Sequence, residues 1–352
     1  HAMTLLVVAS PCALVLSIPS AILSAIAAGA RQGILFKGGH AVETLAKVRC
    51  IALDKTGTLT TGNFRVTAVE ASGHASVGEC LQAAASLEAF SEHPLAMAIR
   101  HEAKNRNLPP LPVRNFTSHP GLGVEAEIDG AKCRVGQPAL FEKLGISLPD
   151  LASAGEGTRV WIQSGGHFVR LTLTDEVRAE SARAVGLLRK MGKRVVMLTG
   201  DHRAAAERVS REVGVDEVRA DLQPQDKLEA IRELKGTHGS VAMVGDGVND
   251  APGMALSSIG IAMGARGSDA ALEQADVILM NDRIGRLVEA VRLSERSLAV
   301  IKQNVAFSLG VVALLVTLAA FDEITLTLGV FGHEGSTVLV VLNSLRLLKK
   351  AD

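Results

Sequence analysis

Neither sign of charge is in excess in this 352-residue chain: lysine plus arginine and aspartate plus glutamate number 37 each. With no basic surplus and no arginine-rich tail, nothing in the composition recruits nucleic acid, and that class of function is set aside. Cysteine is scarce and scattered. Cys12, Cys50, Cys80 and Cys133 form no CxxC pair, which argues against a zinc knuckle or a disulfide framework and fits a reducing, cytosol-facing setting. Internal repeats and low-complexity tracts are also missing. The length allows two or three folding units. His1-Ala2-Met3 reads as a cloning remnant, so the chain is expected to continue upstream.

Charge is absent altogether from two long stretches, and a third carries a single carboxylate, Glu334. The first, Thr4 to Ala30, is about 27 residues, enough to cross a hydrocarbon core of roughly 30 Å. It is too long for the apolar region of a signal peptide. The other two, Val305 to Phe321 and Ile324 to Leu345, are separated by Asp322-Glu323 and read as a helical hairpin. Arg31 and Lys37 follow the first span, Arg296 and Lys302 precede the second, and Arg346, Lys349 and Lys350 follow the third. By the positive-inside tendency everything between Arg31 and Lys302 is cytoplasmic and Asp322-Glu323 lies outside. Buried helices of a soluble protein fit these lengths and flanks poorly.

Polar groups inside the spans stand out against that background. Ser10-Pro11-Cys12 interrupts the first, where Pro11 and Pro19 are predicted to break the hydrogen-bond ladder and free carbonyls that only a wet or protein-lined cavity tolerates. Gly332-His333-Glu334-Gly335-Ser336-Thr337 brings an imidazole and a carboxylate into the last. Ionisable and thiol groups at membrane depth are functional candidates. The bland alternative has Cys12 packing as a small hydrophobe and His333-Glu334 at the headgroups.

Between the spans, short apolar runs alternate with amphipathic stretches, the texture of an α/β domain. Cys50-Ile51-Ala52-Leu53 ends at Asp54, Val195 to Leu198 at Thr199-Gly200-Asp201, and Val241 to Val244 at Gly245-Asp246-Gly247. In an open parallel sheet such strand ends converge on the site. Helices are expected over 204–213 and 226–234. From Gly62 to Leu171 the runs Val66–Val69, Val124–Ile128 and Phe168–Leu171 alternate like antiparallel strands with one solvated face, and mark an inserted second domain.

The motifs carry specific chemistry. Asp54, just past a buried strand in Asp54-Lys55-Thr56-Gly57-Thr58-Leu59-Thr60, is placed to act as a nucleophile, although a lone strand-end aspartate more often caps a turn. Thr199 can hydrogen-bond phosphoryl oxygens and Lys227 can neutralise them. Asp246 and Asp250 can hold Mg²⁺ through hard oxygens. A carboxylate nucleophile facing an anionic phosphate needs such cations.

In order and setting, Asp54, Thr199, Lys227 and the Asp246/Asp250 pair resemble the four motifs of the haloacid dehalogenase superfamily, and the strings DKTGTLT, TGD and GDGVNDAP resemble the P-type ATPases in particular. The resemblance implies a Rossmannoid α/β phosphorylation domain at 35–62 and 172–292, an inserted α+β nucleotide-binding domain at 63–171, a membrane helix at 4–34 and two more at 293–350. It implies a catalytic set of Asp54, Lys55, Thr56, Thr199, Gly200, Asp201, Lys227 and Asn249, with Mg²⁺ on Asp54, Thr56, Asp246 and Asp250. Thr56 stands where phosphatases of the superfamily usually place an acid, which slows hydrolysis and leaves a long-lived aspartyl phosphate.

Ser91-Glu92-His93-Pro94-Leu95 and Gly121-Leu122-Gly123 are similar to the His-Pro and Gly-x-Gly elements of the heavy-metal branch, which implies ATP bound by Glu88, His93, Gly121 and Gly123. Asp175 and Arg178 mark the return to the first domain and are candidates for ordering phosphate or forming a hinge. Ser-Pro-Cys together with His-Glu-Gly-x-Thr resembles the subgroup associated with cobalt and zinc, with Ser10, Cys12, His333, Glu334 and Thr337 as ligands of the transported ion. Most members carry glycine where this chain has Ser336. One thiolate, one imidazole and oxygen donors form a borderline-soft set, which leaves Co²⁺, Zn²⁺, Fe²⁺, Ni²⁺ and Cd²⁺ rather than Cu⁺ or Ca²⁺. The chain contains no Thr-Gly-Glu, the loop that in these pumps directs water onto the phosphoaspartate, so a partial pump is expected, with its actuator and earlier spans upstream. The alternatives are a membrane-tethered phosphatase of the same superfamily and a non-catalytic regulatory fragment.

Overall fold

A computed structural model describes residues 2–91, 93–151, 157–246, 250–264, 269–321 and 323–349. The chain divides into two compact units, His1–Leu59 with Ala179–Asp201 and Ser210–Asp352, and Thr60–Arg178 with His202–Val209. It begins with helices α1 (Ala2–Val8) and α2 (Cys12–Arg31), then β1 (Ile34–Phe36), α3 (Gly39–Lys47) and β2 (Cys50–Asp54). There follow β3 (Thr60–Ala71), α4 (Val77–Leu87), α5 (Pro94–Asn105), β4 (Arg114–His119), β5 (Gly123–Ile128), β6 (Ala131–Gly136), α6 (Pro138–Lys143), β7 (Thr158–Ser164) and β8 (His167–Val177). The return brings α7 (Ser181–Lys190), β9 (Arg194–Leu198), α8 (Arg203–Val213), β10 (Glu217–Arg219), α9 (Pro224–His238), β11 (Val241–Gly245), α10 (Ala251–Leu256), β12 (Ile259–Met263), α11 (Asp269–Gln274) and β13 (Val277–Leu279). Two long helices close the chain, α12 (Gly285–Ala320) and α13 (Leu326–Leu345).

In the first unit the strands run in the order β1-β13-β12-β11-β2-β9-β10, parallel except for the antiparallel edge pair β1/β13. β2, β11, β12 and β13 are buried along their whole length, as continuous apolar strands must be when both faces of a parallel sheet are covered. Ile231 and Leu234 of α9 and Met254 of α10 pack on Ala52, Val196, Leu198 and Met243. α9 starts where the sequence dictates: Pro224 takes the first helical position, the Gln223 N–H donates to Asp226 Oδ2 at 2.9 Å, and the Gln223 side chain returns the bond. This cap fixes the first turn, which carries Lys227.

The second unit is a six-stranded antiparallel sheet in the order β3-β8-β7-β6-β5-β4. β5 alternates buried and half-buried residues, and its buried Val124, Ala126 and Ile128 join Leu81, Ala84, Leu87 and Ile99 of α4 and α5 in one core. The Asp175 carboxylate accepts the Thr60 hydroxyl at 2.5 Å, which fastens the last strand of this unit to its first.

Two helical segments, Leu5–Arg31 and Gly285–Ala320, are long and apolar enough to cross a membrane. α13, the third predicted span, is 20 residues long and carries a polar run at 332–337. It packs against both α2 and α12. The break in the first span falls between Val8 and Cys12, at Pro11. Pro19 does not interrupt α2; its ring is exposed, and nearby the Ser17 and Ser20 hydroxyls donate to the carbonyls of Leu14 and Leu16, each at 2.7 Å. Toward the basic end, buried Asn304 donates to Val340 O at 3.3 Å and Ser344 Oγ at 3.0 Å, and the Ser344 hydroxyl lies 3.0 Å from that of Ser20. One amide thus ties three helices.

Candidate active site

Because β2, β9 and β11 are parallel neighbours, their carboxyl ends deliver Asp54, Thr199 and Asp246 to one rim of the sheet. Lys227 Nζ donates to Asp54 Oδ1 at 2.6 Å and to Asp250 Oδ1 at 3.0 Å. Among the described residues, Asp54, Asp246 and Asp250 are the one group of three His, Cys or acidic side chains that can present ligand atoms within 4.8 Å of one another. Two glycines make this crowding possible. Gly57 has φ +71°, and a Cβ there would run into the Asp246 carboxylate; a Cβ on Gly245 would meet Asp250.

The electrostatics follow from that crowding. Burial, then the like charge of Asp250, pushes the Asp54 carboxyl up to about 7. Burial pulls Lys227 down, but the carboxylates of Asp54 and Asp250 outweigh it and hold the ammonium well above its usual range. Thr199 is buried, and its oxygen accepts the Asp201 N–H at 3.1 Å, so its own O–H is left to donate. Lys55 is buried and ion-paired with Asp201. From Cys50 to Thr60 only the Thr56 side chain is partly open. Asn249 lies outside the described residues, as does Glu92. Asp175 sits in the β3/β8 pair of the second unit.

In the second unit, Glu88, His93, Gly121 and Gly123 line one cavity of about 300 Å³, with an apolar floor of Leu95, Ile99 and Val160. His93 caps α5, its Nδ1 accepting the Leu95 N–H at 3.2 Å. Burial raises the Glu88 carboxyl above its usual range. His119, Gly136 and Gln137 also line this cavity, and sequence reasoning missed them. The available signal was His119 standing just before Pro120-Gly121, within the loop that was already suspected.

In the helices, Ser10 Oγ and Cys12 Sγ lie 3.2 Å apart. His333 is buried, while Glu334 is exposed. Successive residues of a helix point about 100° apart, so the two side chains leave α13 in different directions. Among the described residues, Cys12, His333 and Glu334 do not form a group of three whose ligand atoms all lie within 4.8 Å of one another. The Thr337 hydroxyl donates to His333 O at 3.3 Å.

The family profile for haloacid dehalogenase-like hydrolases matches residues 48–257. A Staphylococcus aureus (strain MRSA252) protein named a probable cadmium-transporting ATPase is 40% identical over 99% of this chain and 50% of its own length. The zinc-transporting ATPase of Bacillus subtilis (strain 168) is 42% identical over 99% of this chain and 56% of its own. The crystal structure of a zinc-transporting PIB-type ATPase in its E2.Pi state superposes with a TM-score of 0.79 at 38% identity, covering 96% of this chain and 56% of that one. The chain therefore spans about half the length of the curated relatives it matches. With its membrane-crossing helices, it is an integral membrane protein whose catalytic elements are cytoplasmic. The chain belongs to the haloacid dehalogenase-like hydrolases, and over nearly its whole length it is a relative of the metal-transporting P-type ATPases.

Proposed function

We propose that the chain is the catalytic and carboxyl-terminal membrane part of an ATP-driven exporter of a divalent transition metal, working through phosphorylation of Asp54. The observation that carries this reading is the carboxylate at the end of β2, with Lys227 at 2.6 Å and Asp246 and Asp250 gathered beside it. An Asp54 oxygen attacks the terminal phosphorus of ATP, the bond to the bridging oxygen breaks, and ADP leaves with that oxygen's electron pair. Lys227 and the Thr199 hydroxyl offset charge on the transferred phosphoryl oxygens. Three crowded carboxylates suit a hard cation; Asp54, Thr56, Asp246 and Asp250 would hold Mg²⁺, which when bound neutralises phosphate charge. The cavity of the second unit is read as the ATP site.

Ser10, Cys12, His333, Glu334 and Thr337 are the proposed ligands of the exported ion. The donor set suits a borderline ion, with Co²⁺ or Zn²⁺ leading and Cd²⁺ brought in by the relatives' names. The test uses terminally labelled ATP with Mg²⁺ and each of Co²⁺, Zn²⁺, Cd²⁺, Ni²⁺ and Fe²⁺. The expected result is an acid-stable, hydroxylamine-labile label on the chain that is absent from Asp54→Asn. Rapid phosphate release from unrelated monoesters, with no stable label, would overturn the reading in favour of a tethered phosphatase.

A further inference from the structure

The cavity of the second unit presents two imidazoles in opposite hydrogen-bonding senses. His93 Nδ1 already accepts the Leu95 N–H at 3.2 Å, so in the neutral ring Nε2 carries the proton and is a donor. His119 is held the other way round. Its Nε2 lies 3.2 Å from Glu125 Oε1, and the second oxygen of Glu125 accepts the Arg134 Nε–H at 3.1 Å. Arg134 also donates Nη1–H to Gln163 Oε1 at 2.7 Å. A carboxylate paired with arginine can only accept, so the proton of the neutral His119 ring belongs on Nε2 and Nδ1 keeps its lone pair. No other residue of the described chain engages that nitrogen, and His119 lines the cavity together with His93, Gly121 and Gly123.

An acceptor beside a donor matches the Hoogsteen edge of one purine and mismatches that of the other. On that edge adenine shows its exocyclic amino donor next to the N7 acceptor, whereas guanine shows two acceptors, O6 and N7. We propose that His119 Nδ1 reads the base, accepting a hydrogen bond from the exocyclic amino group of adenine, with Glu125 and Arg134 as positioning residues that fix the ring's tautomer. The inference rests on the nucleotide reading of this cavity. A guanine carbonyl would face the Nδ1 lone pair and leave both acceptors unsatisfied, and a buried polar group without a partner costs enough to shift binding by about tenfold or more.

The test is equilibrium binding of ATP, GTP and purine-riboside triphosphate, which lacks the exocyclic group, to the full chain and to His119→Phe and Glu125→Gln. Nitrogen-15 spectra of the histidines accompany it. The expected results are ATP bound about tenfold tighter than either analogue, a His119 ring protonated on Nε2, and a preference for ATP over GTP that collapses in His119→Phe and weakens in Glu125→Gln. The analogue needs no substitution, so a folding defect in a variant cannot mimic its result. Wild-type protein that binds ATP and purine-riboside triphosphate equally, or a His119→Phe variant that keeps its preference, overturns the base-reading role alone. Wild-type protein that binds no nucleotide overturns it together with the nucleotide reading.

Discussion

Asp54 holds its proton far above the ordinary carboxyl range, up to about 7, because it is buried and faces Asp250. In an unfolded chain the same group would titrate near about 3.9. Between those two values the native state keeps a proton that the unfolded state has lost, so stability falls as pH rises through that window. Asparagine mimics the neutral acid and carries no such dependence. In a metal-free buffer, Asp54→Asn should match the parent's thermal midpoint near pH 4 and exceed it by several degrees above pH 7. Adding Mg²⁺ should then stabilise the parent much more than the variant. Thermal scans at three pH values, with and without Mg²⁺, check both signs. A constant difference across pH would mean that the carboxylate is not under the strain that the crowding implies.

The element that sets this crowding is the turn after β2 rather than the strand itself. Gly57 sits at φ +71° with the Asp246 carboxylate in the space a Cβ would fill, so Gly57→Ala meets both a left-handed backbone penalty of about 1 kcal/mol and a steric clash. Phosphorylation of Gly57→Ala should fall by about a hundredfold, the order seen when a preorganised electrostatic group is displaced, while ATP binding by the second unit stays unchanged. Labelling and nucleotide titration of the same preparation separate the two. Much of this was legible in the sequence. β2, β9 and β11 are unbroken apolar runs ending in polar turns, and such runs pair as buried parallel strands. Other features were not legible, for physical reasons. Pro19 reads as a breaker, yet α2 passes through it with its ring exposed. His119 carries no signal until the sheet brings Glu125 and Arg134 beside it. Asn304 falls just before the apolar run counted as a span, and only packing reveals that it joins Val340 and Ser344. Neighbouring positions such as His333 and Glu334 look equivalent in a sequence and point in different directions on a helix.

At the scale of the whole molecule, the membrane helices and the sheet of the first unit are joined by direct chain connections. α2 leads through β1 and α3 into β2, so Cys12 and Asp54 lie on one uninterrupted stretch of chain. β1 pairs with β13, Ile34 opposite Leu279 and Phe36 opposite Val277, and β13 runs on into α12. The span that carries the thiol and the span that begins the hairpin therefore leave the same edge of the sheet. By the positive-inside tendency, the segments near Arg31, Lys302 and Arg346 are expected on one side of the membrane and the connection between α12 and α13 on the other. Thr325, the exposed N-cap of α13, reports on that connection. In a Cys12→Ser background, where the three remaining cysteines, Cys50, Cys80 and Cys133, are buried, Thr325→Cys should react with a membrane-impermeant maleimide from the outer face of right-side-out vesicles. The same residue should be protected in inverted vesicles, while Asp54 becomes accessible to added ATP only in the inverted ones. Reaction at Thr325→Cys from the same face that admits ATP would place both ends of the hairpin on one side and overturn the expected membrane crossing.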